Sequence, residues 1–102
     1  MKTLEAGNIY TFKLTTGEEM VAKFISENLA EGYITIEHPI LTVISPQGLQ
    51  MMPGLFSANL DREIKLNSHS WVLIAEPRED VRNSWIQATT GIAPVTKKII
   101  TG

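Results

Sequence analysis

His38 and His69 are the only histidines of the chain, and they give the first test for chemistry. Neither has a second histidine at metal-ligand spacing. The chain has no cysteine, so thiolate ligands, cysteine nucleophiles and a disulfide framework are excluded. His38 precedes Pro39, a context for a structural imidazole in a strand break. Ser68-His69-Ser70 sets two hydroxyls beside an imidazole, but catalytic partners meet in space rather than as chain neighbours. Glu18-Glu19 reads as a solvated turn pair, and Gly48, Gly54 and Gly91 occur singly, without the spacing of a phosphate loop. The expectation is a protein with no catalytic residues, no cofactor and no metal.

A second chemistry is open to these residues, because aromatic and polar side chains beside turns can hold an unpaired base. Tyr33, His69 and Trp71 all flank turns. Trp71 opens the apolar run Trp71–Ala75 and reads first as core; Tyr33 is open between packing and exposure. Charge opposes a general polyanion binder. The chain carries a formal charge of −2; residues through Ala75 are net −3 and the remainder is net +1. Phosphate contacts need clustered cations, and the one adjacent pair, Lys97-Lys98, reads as a solvated tail. Protein binding is the competing class, through Trp85 and Ile86 on a C-terminal helix and Leu55-Phe56 in the centre. Trp85 can equally dock that helix on its own domain.

The elements that must position these residues are mostly strands. Tyr10, Phe12 and Leu14 alternate with Thr11 and Lys13, the period of a half-buried strand. Thr15–Glu18 makes a turn, and Glu19–Glu27 a longer strand with Met20, Ala22 and Phe24 on one face and Val21 and Ile25 on the other. Asn28–Gly32 is a hairpin loop. Tyr33–Glu37 follows, and His38-Pro39 interrupts it: proline cannot donate to a ladder, so it marks an edge, a bulge or a strand boundary. Strands are expected again at Ile40–Ser45, Leu49–Met52, Glu63–Leu66 and Trp71–Ala75; Leu55–Arg62 is unreadable by pattern. After Pro77, acids at Glu79 and Asp80 and the spacing of Val81, Trp85 and Ala88 predict a helix over about residues 78–89, with Gly91 as its C′ residue and a tail over 90–102. With 102 residues, one domain is expected. A reducing cytosol is expected as its location: the N-terminus shows no apolar signal segment and no apolar run approaches the roughly 18 residues of a membrane helix.

Leu14, Gly17, Met20, Ala22 and Phe24, then Asn28 and the strand residues Ile34 and Ile36, resemble the first sequence motif of the Sm-like (LSm) family. Leu66–Ser70 followed by Trp71–Ala75 matches the spacing of the second motif, without its Arg-Gly. Small Sm-like proteins carried by tailed phages, including those of marine cyanobacteria, are similar in their "KLTTGEE" opening and in a barrel followed by a helix. The resemblance covers about residues 9–77. It implies a strongly bent five-stranded antiparallel barrel with a short C-terminal helix, the 40–44 and 71–75 runs as its edges, and a cyclic homo-oligomer of about five to seven copies. It also implies single-stranded RNA as a partner, held at the loops of the two motifs. By position, Ala30 stands at the stacking residue, Gly32 at the asparagine, Asn28 at the aspartate and Asn67 at the arginine, so most of the usual pocket is replaced. The RNA-contacting candidates are Asn28, Tyr33, Asn67 and His69. The alternative is a structural or adaptor ring that binds protein.

Overall fold

The computed structural model describes residues 4–90. Its elements are β1 (Ile9–Leu14), β2 (Glu19–Asn28), β3 (Tyr33–Ser45), β4 (Gly48–Pro53), β5 (Ile64–Asn67), β6 (Trp71–Ala75) and α1 (Glu79–Thr90). The strands form one antiparallel sheet in the order β4-β3-β2-β1-β6, with β5 also on β3. The protein is mainly β with a C-terminal helix, and its bent, barrel-like sheet is consistent with an Sm-like fold. The expected Gly91 cap and the tail carrying Lys97-Lys98 lie outside the described residues.

Two apolar clusters occupy opposite faces of the sheet. Tyr10, Phe12, Met20, Ala22, Phe24, Ile34 and Ile36 fill the concave side, with Trp71 and Ile74 packed against them. Val21 and Ile40 point the other way and meet Val81 and Trp85 of α1. The apolar residues on both faces of β2 thus have one cause: a barrel core on one side and a helix on the other. Val81 and Trp85 are buried as the helical spacing predicts, whereas Ala88 is exposed and Ile86 takes the neighbouring packed position.

β3 carries a bulge at His38-Pro39, one of the three readings that the proline allows, and is not split into two strands. It runs unbroken for 13 residues. Val21 pairs Ile40 and Lys23 pairs Glu37, so β3 has one more residue than β2 across this span. That is a β-bulge, and it admits a proline that a regular ladder excludes. His38 takes the left-handed conformation, φ 52°, to make it. A compensating shift follows between Phe24 and Ser26 on β2.

Six strands appear where five are expected, because the stretch between Pro53 and Ile64 leaves the sheet. β4 and β5 both run antiparallel to β3, β5 along Tyr33–Ile36 and β4 along Ile40–Ser45, so together they act as one interrupted neighbour. This also corrects the edges. In the 40–44 run, Ile40, Leu41 and Thr42 lie between β2 and β4 while Val43 and Ile44 pair β4 alone, and the strands with a single partner are β4, β5 and β6.

Candidate nucleic-acid interface

Strand register brings the expected contact residues together. Asn28 is directly opposite Tyr33, and Tyr33 is directly opposite Asn67. Directly paired residues share a face, so these three form a cross-strand row on the convex side. Ser26, Thr35 and Lys65 form the next row. The turn after β5 is fastened to the β2–β3 turn by the Ser68 amide, which donates to the Gly32 carbonyl at 2.9 Å. His69 is exposed in that turn, with its amide donating to Asn67 Oδ1 at 2.8 Å.

Lys65 completes the patch and was not among the sequence candidates. Its ammonium lies 4.7 Å from the centroid of the Tyr33 ring, within the range of a cation–π contact. The signal for it is the outward alternation of Lys65 and Asn67 around inward Leu66, which becomes legible only once β5 is known to pair β3. The arrangement puts a cation beside a half-buried aromatic ring, the two elements that hold a phosphate and a base of a single strand.

Asn28 is tied into the β2–β3 turn. Its Nδ2 donates to Glu31 Oε1 at 2.9 Å and to Tyr33 Oη at 3.4 Å, and its Oδ1 accepts from the Glu31 amide at 3.2 Å. These bonds close the β2–β3 turn and steady the Tyr33 ring. Ala30 is exposed and too small to stack, and Gly32, with φ 81°, serves the turn.

The remaining chemical candidates resolve into structure. Trp71 packs edge-on to Phe12, with ring centroids 5.5 Å apart, so it belongs to the barrel core. Ser70 Oγ donates to the Asn67 carbonyl at 2.6 Å, which makes Ser68-His69-Ser70 a hydrogen-bonded turn. Glu18 accepts from Thr16 Oγ1, and Glu19 lies 3.7 Å from Lys13. Trp85 is 3% exposed, its indole donating to the His38 carbonyl at 2.9 Å; it docks α1 on its own sheet and is not a partner surface. Leu55 and Phe56 are exposed, Phe56 at 82%. Among the described residues, no cluster of His, Asp and Glu is placed to hold a metal ion, and no helix is long and apolar enough to cross a membrane. No family model and no curated protein matches the chain.

Proposed function

We propose that this chain is a ring-forming, non-enzymatic Sm-like protein, of the phage-carried kind it resembles, that binds single-stranded RNA in the cytoplasm across the Tyr33–Lys65–Asn67 face. The observation that carries the RNA reading is Lys65 over the Tyr33 ring, in register with Asn67 and beside exposed His69. One ring and one cation per copy make a weak site. Repetition around a ring turns it into a strong one, because each further contact on a tethered strand is intramolecular.

Ring formation is supported by the two sheet ends. β4 and β6 present unpaired backbone, and an open edge is a template for another strand. Exposed apolar side chains accompany both: Met52 with its neighbour Val43 at the β4 end, and Val72 and Leu73 on β6. Head-to-tail pairing of β4 with β6 of the next copy covers these two edges in every copy of a closed circle.

Fluorescence anisotropy with labelled oligo-U and oligo-A at low salt tests the RNA reading on the intact assembly. Salt-sensitive binding is expected for both. An assembly that binds neither refutes it and favours the second reading, an adaptor ring for protein, whose specific support is the exposed Leu55-Phe56 pair.

A further inference from the structure

The convex face at the β4 end carries a small apolar socket. It has a volume of about 180 Å³ and is lined mainly by Pro39, Ile40, Met51, Pro53, Leu60 and Ala88. That is of the order of the roughly 150 Å³ apolar cavity known to admit benzene. The socket has three walls of different origin: the β3–β4 ladder, the segment between Pro53 and Ile64, and the C-terminal end of α1. It stands open at a sheet end, and its lining is apolar, so it suits a hydrocarbon side chain.

The opposite end of the same sheet displays such a side chain on the same face. Leu73 pairs Lys13, Lys13 pairs Glu19, and Glu19 pairs Thr42, which pairs Met51. Direct pairing keeps one face, so Leu73 and Met51 both point to the convex side. Leu73 is 66% exposed. A sheet face continues across an added strand. When β6 of a second copy pairs antiparallel with β4 in the register that sets its Leu73 beside Met51, that leucine lies at the socket mouth.

We propose that the socket is the receptor for Leu73 of the next copy, so that α1 and the 54–63 segment form part of the subunit interface. This rests on the ring assembly proposed above and adds to it a side-chain lock that strand pairing alone does not require. The lock has a physical use. Edge pairing is weakly specified in register unless side chains fix it, and a leucine with one socket specifies a single register. It also gives α1 a role in assembly besides covering Val21 and Ile40.

The absence of cysteine from the chain makes the test clean. Leu73→Cys is refolded together with Ala88→Cys, and separately with Leu60→Cys, and each mixture is oxidised. All three positions are at least partly exposed, so the fold tolerates them. The expected result is a disulfide-linked heterodimer in at least one mixture and none from any variant alone. Light scattering on the same samples separates the two claims. An assembly of undiminished mass that forms no such disulfide overturns the Leu73 lock and leaves the ring. A monomer, in the parent chain as in the variants, overturns both.

Discussion

The Trp85 indole Nε1 donates a 2.9 Å hydrogen bond to the carbonyl of His38, the residue whose left-handed backbone makes the β3 bulge. The strain of that conformation, on the order of 1–2 kcal/mol for a non-glycine residue, is offset where the helix meets the sheet. The His38 ring stands edge-on to the indole at 6.1 Å, and the Lys23 ammonium lies 5.9 Å from the centroid of the Trp85 ring. One tryptophan thus couples the helix to the bend of the barrel.

Replacing it tests that coupling. Trp85→Phe keeps most of the apolar surface and removes the donor, and is expected to cost about 1–3 kcal/mol by leaving a part-buried carbonyl unpaired. Trp85→Ala is expected to cost about 3–5 kcal/mol. Urea unfolding followed by circular dichroism measures both; equal and negligible losses would contradict the role.

The helix start carries a pH dependence. Arg78 hydrogen-bonds the Asp80 carboxylate and holds its pKa below the ordinary value. A carboxyl depressed in the folded state stabilises above its unfolded pKa, and that contribution is lost as pH falls through the folded value. Asp80→Asn is therefore expected to lower stability at neutral pH, with the difference from the parent vanishing in strong acid. Thermal melts of both proteins between pH 7 and pH 2 check this; a gap that widens in acid would contradict the pairing.

The sheet ends predict the assembly. Val72 is exposed in a single copy and carried on a terminal strand, so Val72→Lys should leave the fold intact. A lysine on a strand edge opposes pairing. Size-exclusion chromatography with light scattering should show the parent as a cyclic oligomer and this variant as a lighter species. Identical masses would reject β6 as an interface strand.

The electrostatic part of the proposed RNA site has its own signature. Lys65→Ala is expected to weaken oligo-U binding and to lower the slope of log affinity against log salt by about one unit per site engaged. An unchanged slope would remove Lys65 from the phosphate path.

Much of the scaffold is legible in the sequence because side-chain period reports which face is buried. Met20, Ala22 and Phe24 declare the barrel core, and Val81 with Trp85 declares the packed stripe of α1. Reading fails where a local rule has a non-local exception. Pro39 leaves edge, bulge and strand boundary open, and only the pairing with β2, with one extra residue opposite Ala22, selects the bulge. The interrupted β4–β5 neighbour is hidden because Leu55–Arg62 has no period. For the site, Tyr33, Asn67 and His69 are recognisable as residue types beside turns. Lys65 is not, since its place over Tyr33 depends on the pairing of strands some thirty residues apart. Asn28 reads both as a contact residue by position and as a turn former by type, and its bonds to Glu31 and Tyr33 show the turn role.

Photo-cross-linking of labelled oligo-U to the assembly, followed by mass spectrometry of the peptides, tests the central claim most directly. The Tyr33–Lys65–Asn67 face predicts adducts on Tyr33 and on the Lys65–His69 stretch, reduced at least several-fold by Tyr33→Ala. Adducts confined to other segments, or none at all at concentrations where the ring is intact, would contradict it.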